Sequence, residues 1–421
     1  MKSLIAVFLV LVAAGFAMAD PIIISNGPEN DYESWIARLN NGRLMTVFCR
    51  NPDWASGDLY VSFSVNNGLS WSNEQVVLQA EGDQATLSFV QMLSGTIRLF
   101  YASNETGNYK IYEATSADGR SWQFNGALDL GWDNNTNFYD PTVILEPDGS
   151  LTMSYVVMSN GVYIAHCLDG GAWDTDRIMV AASAYRPRIM KHTGGNYLYA
   201  YHTRTGGNYE YDVFVKTSTD LSNWSEPVRI TTNLNSHDPF VCEMYDGSCM
   251  IYYAKYDGTA YNICRRRSFD MLNWEPEEQI TDDTTNNTQP HLWVEDNELY
   301  MTYAHAINYP DDHDVYLQKS EYMTGIDDDA KIPQEIGLKL TAYPNPFNMS
   351  TQISFLLDSP QSVRLDIYNV LGQKVANLLA TDLSSGQHYF NWSADGLVSG
   401  LYFARLTADS GQDKVKLILV K

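Results

Sequence analysis

The stretch TSTDLSNW, Thr217 to Trp224, is a short polar turn closed by a tryptophan, and its near copies set the register of most of the chain. TSADGRSW (Thr115 to Trp122), HCLDGGAW (His166 to Trp173) and RSFDMLNW (Arg267 to Trp274) share the same frame of Asp, three residues, then Trp. SVNNGLSW (Ser64 to Trp71) is one residue longer and has Asn66 in place of the acid. The tryptophans recur at intervals of 51, 51, 51 and 50 residues. A period this constant marks one structural unit copied along the chain.

Each copy opens on an apolar run, often with a proline near its start: YDPTVILEPDGSLTMSY, YRPRIMKHTGGNYLYAY, HDPFVCEMYDGSCMIYY and TQPHLWVEDNELYMTY. Two earlier copies, YESWIARLNNGRLMTVF and ATLSFVQMLSGTIRLFY, keep the spacing without the proline. Each front reads as two strands joined by a tight turn, followed by a third strand, the Asp-containing turn and a fourth strand. Four antiparallel strands per unit of about fifty residues make a propeller blade, and counting fronts gives six. The sixth unit lacks the tryptophan and a fourth strand; the lone strand DPIIIS, Asp20 to Ser25, is expected to complete it and close the ring. Within the recurring turn, a Ser or Thr hydroxyl and the Asp carboxylate are expected to accept backbone N–H groups, with the Trp packed back on the sheets, so these acids read as structural.

Residues 1–19, MKSLIAVFLVLVAAGFAMA, read as a secretory signal with a small-residue cleavage site, too short for a membrane anchor. An exported, soluble chain without a transmembrane anchor is expected. With 51 acidic and 27 basic residues the net charge is −24, which disfavours nucleic acid and anionic lipid as partners. The five cysteines are too few and too scattered for a disulfide framework or a zinc site, and read as buried thiols.

The first strand of a propeller blade lies nearest the axis. Counting back nine residues from the hairpin glycine in blades one to five, and using the proline in blade six, places Glu33, Thr86, Asp140, Arg186, Asp238 and Gln289 around one cavity. Carboxylates held close together push each other's pKa values apart, which separates a general acid from a base or nucleophile, so Glu33, Asp140 and Asp238 are the candidate catalytic acids. Arg186 is the candidate substrate clamp, with Gln289 and His237 beside the acids. The loops RNPDWASG, HTRTGG and GWDNNTNFY add Trp54, Arg204, Trp132 and Tyr139 as candidate sugar contacts. No metal or other cofactor is assigned; the loop NYPDDHD, Asn308 to Asp314, has an oxygen-rich set of the kind Ca²⁺ tolerates, although solvated loop acids are its commoner meaning.

The recurring turns resemble the Asp-box repeats of the sialidase superfamily of six-bladed propellers, over residues 20–322. That resemblance implies an all-β, six-bladed β-propeller and a glycan at the axial cavity. The family's sialidases hold a carboxylated sugar with three arginines, the first opening blade one; here blade one opens DYESWIARL, and the nearest match, YRPRI with Arg186 and Arg188, lies in blade four. The resemblance therefore implies a glycoside hydrolase other than a true sialidase, or a non-catalytic propeller that binds glycan or protein. The Asp-Pro strand starts are also similar to the arabinosidase and xylosidase propellers.

Residues 323–341 read as an acidic linker. Beyond it, residues 342–421 show short alternating strands expected to form a C-terminal immunoglobulin-like β-sandwich. The ordered motifs YPNPFN (343–348), IYN (367–369) with Gly372, and SGLY (399–402) closely resemble the type A C-terminal sorting domain of the bacterial type IX secretion system. This implies an outer-membrane bacterium, handling by the type IX machinery, and a destination at the cell surface or in the medium.

Overall fold

The computed structural model describes residues 17–18, 20–25, 27, 29–52, 56–168, 171–207, 210–232, 235–295, 298–306, 312–321, 340–343, 347–357, 360–369, 372–384, 386–394, 396–408 and 411–419. The chain divides into two compact units, Met1–Gly325 and Ile326–Lys421. The expected linker up to residue 339, the expected leader apart from Ala17–Met18, and Trp54 lie outside the described residues; the last two residues of that linker already belong to the strand Leu340–Tyr343. Among the described residues no helix is long and apolar enough to cross a membrane.

The first unit is all β. Its strands form six antiparallel sheets whose inner strands are Asn30–Arg38, Gln84–Gln91, Phe138–Leu145, Ala184–Lys191, Ser236–Glu243 and Asn287–Glu295. Five of the sheets run inner to outer strand in chain order, as a β-meander. In the sixth, the third strand His313–Glu321 receives Ile22–Ile23 on its outer edge, with Ile22 opposite Leu317 and Ile23 opposite Tyr316. Ile24 extends the pairing, its N–H donating to Val315 O at 2.8 Å, and its side chain enters a buried cluster with Ile36, Phe48 and Leu317. The first and last blades are thus sewn together by a segment from the start of the chain, which removes an open sheet edge. Ala17–Met18 pairs further along the same strand, opposite Glu321 and Ser320.

The recurring turns of the second, fourth and fifth blades share a Ser–Asp hydrogen-bond core, which the tryptophan indole closes in the second and fourth. In the fourth blade Ser218 Oγ accepts the N–H groups of Asp220 and Leu221 at 3.2 and 2.9 Å, and Asp220 Oδ1 accepts those of Ser222 and Asn223 at 2.9 and 2.8 Å. Trp224 Nε1 closes the turn onto Leu221 O at 2.9 Å while its ring packs edge-on against Tyr199, 5.2 Å between centroids. The second blade repeats this with Ser116, Asp118, Gly119 and Trp122. The residue after the Asp is left-handed, with φ of 76° at Gly119, 64° at Leu221 and 63° at Met271. The network is strong enough to hold two residues with side chains in a conformation that favours glycine. In the second and fourth blades four backbone donors are consumed inside the turn, so its acid is engaged locally.

All five cysteines are buried free thiols. The second unit packs a sheet of Leu340–Tyr343, Ser350–Leu357 and Gly386–Ser393 against one of Lys374–Leu383, Gln361–Asn369, Gly400–Ala408 and Gly411–Leu419, a β-sandwich. Ile353, Phe355, Leu365, Ile367, Trp392 and Leu406 fill its core. Phe347, from the YPNPFN motif, is buried against Trp392 at 5.4 Å.

Candidate functional site

Every inner strand is interrupted near its start by a register shift: between Tyr32 and Trp35, Ala85 and Leu87, Tyr139 and Thr142, Tyr185 and Arg188, His237 and Phe240, and Thr288 and His291. In each shift lies a left-handed residue without the freedom of glycine: Glu33, Thr86, Asp140, Arg186, Asp238 and Gln289, with φ of 55°, 36°, 52°, 52°, 52° and 54°. Such a residue costs on the order of 1–3 kcal/mol and persists only where its surroundings fix it. The bulge re-aims one side chain out of the sheet's alternation. Because Thr86 and Gln289 share it with the acids, the strain is a device of ring closure, repeated in all six blades.

What fixes it is a belt of hydrogen bonds between successive blades. Asp140 N donates to Thr86 Oγ1 at 3.0 Å, Arg186 N to Asp140 Oδ2 at 3.3 Å, and Glu33 N to Gln289 Oε1 at 3.0 Å. In these three blades the start-of-strand N–H is thus accepted by the corresponding side chain one blade back. Arginine has no acceptor, so the pattern must break after blade four. There Asp238 N donates instead to Nδ1 of His202, at 3.1 Å, from the second strand of that blade.

Arg186 turns its guanidinium into the middle of the acids. Nη1 donates to Glu33 Oε1 and to Asp140 Oδ1, the latter at 3.0 Å, and Nε stands 3.4 Å from Asp238 Oδ1. Gln289 Nε2 adds a donor to Glu33 Oε1 at 3.0 Å, and His237 Nδ1 lies 2.8 Å from Asp238 Oδ2. The three acids are buried, with side-chain exposures of 5, 8 and 10%, while Arg186 keeps 23%.

These surroundings set the acids apart. Burial pushes the Glu33 carboxyl up, against the pull of Arg186, and Asp140 and Asp238 add to the rise. Burial acts on Asp238 in the same sense but is outweighed by His237 and Arg186, which hold it far below the usual carboxylate range. Burial would lower Arg186, yet Asp140, Glu33 and Asp238 together hold it well above the ordinary arginine value. Burial drives His202 down to about 3, so at neutral pH its ring is uncharged and free to accept the Asp238 N–H. One carboxyl biased towards its proton beside one biased towards its charge is an acid–base arrangement.

The other sequence candidates divide. Tyr139 adjoins Asp140, its ring 4.4 Å from Tyr109; His237 packs at 4.4 Å on Tyr261. Arg204 is exposed at the end of its strand, 3.4 Å from Tyr211 OH. Trp132 is not brought to the ring: its Nε1 donates to Tyr155 OH at 3.1 Å, and its ring lies under Arg177 and against Tyr163 in blade three. Of the oxygen-rich loop, residues 307–311 lie outside the described residues, and Asp314 is buried beside Asp31. Among the described residues no group of His, Cys, Asp and Glu has the geometry of a metal site.

Sequence reasoning missed His202 as the belt's substitute acceptor and missed Asp83. Asp83 is buried, accepting Gly57 N–H at 2.8 Å, Asn51 Nδ2 at 3.1 Å and Tyr109 OH at 2.6 Å, and so fixes the tyrosine that stacks on Tyr139. It lies three residues before Thr86, off the counted position, and no sequence pattern marked it.

Comparison with known proteins agrees with this architecture. Residues 42–311 match the BNR repeat-like domain, and residues 341–421 match the secretion system C-terminal sorting domain, which supports export through the type IX system. No curated protein matches the chain. Among solved structures, a protein of unknown function from Dyadobacter fermentans is similar at 14% identity and TM-score 0.59, over 74% of this chain and 100% of that one. An α-L-arabinanase of Penicillium chrysogenum solved with arabinobiose gives 15% identity and TM-score 0.55, over 74% and 100%. A sialidase of Streptococcus pneumoniae gives 11% and 0.57, over 72% and 70%. At these identities the likeness is one of fold, a β-propeller. The match over residues 42–311 spans well over half the chain, which therefore belongs to the BNR repeat-like domain family.

Proposed function

We propose that the protein is an exported glycoside hydrolase acting on a neutral glycan at the axial ring. Glu33 serves as general acid, Asp238 as the ionised base or nucleophile, and Asp140 as the carboxylate that sets the balance between them. The observation that carries this reading is Arg186 in contact with three buried carboxylates whose surroundings drive Glu33 and Asp238 in opposite directions. Perturbed acids converging on one cavity fit a functional site better than a packing element.

The same contacts change the part given to Arg186. Its charge is met by three acids, so it balances them instead of clamping a substrate carboxylate, and a carboxylated sugar would meet a net negative cup. Tyr139, Tyr109, Tyr261 and His237 around the rim supply the flat apolar faces that a neutral sugar stacks on. The leader expected at residues 1–19 and the sorting domain together give the route: passage to the periplasm, then the type IX machinery to the surface or medium. Removal of the leader leaves Ile22–Ile23, and with it ring closure, intact.

A second reading, a non-catalytic propeller binding a glycan at the same face, draws on Asp140, which accepts the Arg186 N–H and so has a structural duty of its own. Glu33 and Asp238 accept only from side chains among the contacts above, which favours hydrolysis. Assay of the parent protein against a panel of aryl glycosides and plant and bacterial polysaccharides separates the two: hydrolysis of a neutral member supports the first, and saturable binding without turnover supports the second.

A further inference from the structure

A second cavity, of about 450 Å³, lies along the same axis below the acid ring. It is lined by the inner strands beyond their bulges, and Asn40 and Gln91 place its mouth at the face of the strand-one to strand-two turns, opposite the acids. Its volume falls in the range of small-molecule sites, about 300–1,000 Å³. Trp35, Phe89, Phe240 and Trp293 give the otherwise largely aliphatic wall its aromatic faces.

Of the charged residues in this wall, Glu243 is engaged by Thr193 and Arg38 by Glu295, while Arg188 and His291 each keep a buried nitrogen without a partner among the described residues. Arg188 donates from Nη1 to Thr142 Oγ1 at 3.0 Å and Pro187 O at 2.9 Å, its Nε has no partner, and among the described residues no carboxylate stands within ion-pair distance of it. It keeps partial exposure, and its guanidinium carbon lies 5.7 Å from the Trp35 ring centre. His291, 3% exposed, accepts the Ile36 N–H at Nδ1, 3.2 Å, so its neutral ring carries the proton on Nε2, which has no partner. Its ring is wedged between Trp35 and Phe240, 4.0 and 4.4 Å between centroids. A cation and an N–H donor thus share a largely apolar chamber in which the one lining carboxylate, Glu243, is engaged by Thr193 N–H and Oγ1 and is not paired with Arg188. Buried donors are normally matched, and a guanidinium is matched best by a planar carboxylate.

We infer that this cavity is a second binding site, separate from the acid ring, for a small molecule with a carboxylate head seated at Arg188 and an apolar body against Trp35, Phe240 and Trp293. The inference does not depend on hydrolysis at the ring. Arg188 also lies near enough to Glu33, Asp140 and Asp238 to feel their charge, so the competing account is a solvent-filled channel in which Arg188 only offsets those acids.

Calorimetric titration and tryptophan fluorescence of the full chain with octanoate, 1-octanol and acetate decide between them. The site predicts one molecule of octanoate per chain, bound at least tenfold more tightly than 1-octanol, with acetate weaker than both. Arg188→Met, of similar volume and without charge, should abolish the preference for octanoate over 1-octanol. Val294→Trp, which narrows the channel from the mouth side without touching Arg188, should weaken octanoate at least tenfold at unchanged melting temperature, and serves as the test should the arginine variant not fold. Absence of saturable octanoate binding to the parent overturns the inference. So does equal affinity for octanoate and 1-octanol, or octanoate binding indifferent to Val294→Trp.

Discussion

Arg186 and Asp140 meet twice: guanidinium Nη1 lies 3.0 Å from Oδ1, and the main-chain N–H of Arg186 donates to Oδ2 at 3.3 Å. One contact belongs to the charge cluster and the other to the belt that joins blade four to blade three. Removing the side chain of Arg186 leaves three buried acids without their shared cation. Arg186→Met should therefore lower the unfolding free energy by about 3–5 kcal/mol, the scale for breaking a buried ion pair from one side. Urea denaturation of the two proteins measures it; a loss below about 1 kcal/mol would show that solvent already screens the cluster.

The opposed shifts of Glu33 and Asp238 give hydrolysis a defined pH window. Glu33 must carry its proton, so activity falls as pH rises through its raised pKa. Asp238 must be ionised, so the acid limb lies below the ordinary carboxylate range. Activity should extend unusually far into acid and fall on the alkaline side first, in a kcat/KM profile read with a neutral aryl glycoside. A profile flat through the alkaline range removes Glu33 from the role of acid.

At the seam between the sixth and first blades, burial, with Asp31 and Asp312 adding to it, pushes Asp314 up to about 7. Its folded pKa is above its unfolded one, so its contribution to stability is complete below about pH 4 and is lost as pH rises towards 7. Asp314→Asn should flatten that slope and raise the melting temperature at pH 8, with little change at pH 4; a gain of 1 kcal/mol corresponds to about 2–4 °C in a domain of some 150–250 residues. Equal destabilisation at both pH values would mean that the carboxylate is held charged at the seam.

The recurring turns predict a loss of stability without a loss of function. Trp224→Ala removes the ring packed on Tyr199 and the bond to Leu221 O, and should cost about 3 kcal/mol, read by denaturation, while kcat/KM of the folded protein stays within twofold. A fall in kcat/KM at unchanged stability would bring these turns into the site.

Much of this was legible in the chain itself. The tryptophan period determines the blade and the hairpin glycines its start, so nine residues back from Gly42, Gly95, Gly149, Gly195 and Gly247 stand the left-handed residues of the first five blades. Local rules also anticipated the bonds of Asp118 and Asp220, because each turn satisfies itself within eight residues. What local pattern does not carry is the direction of a long side chain among neighbours distant in sequence. Arg186 was visible as a cation at the axis, but its engagement with Glu33, 153 residues earlier in the chain, depends on ring closure. His202 became the acceptor for Asp238 only because arginine has none, and Trp132, sited in a polar loop, was claimed by Tyr155 and Arg177.

The central claim is hydrolysis by the ring acids, and the turnover of a neutral aryl glycoside identified by the panel, measured for the parent, Glu33→Gln and Asp238→Asn, tests it most directly. Both substitutions keep shape and remove a proton or a charge that the transition state needs, so kcat/KM should fall by about two or more orders of magnitude in each while circular dichroism and melting remain close to the parent. Unchanged turnover in both variants, or a parent that binds glycans and hydrolyses none, would contradict the account.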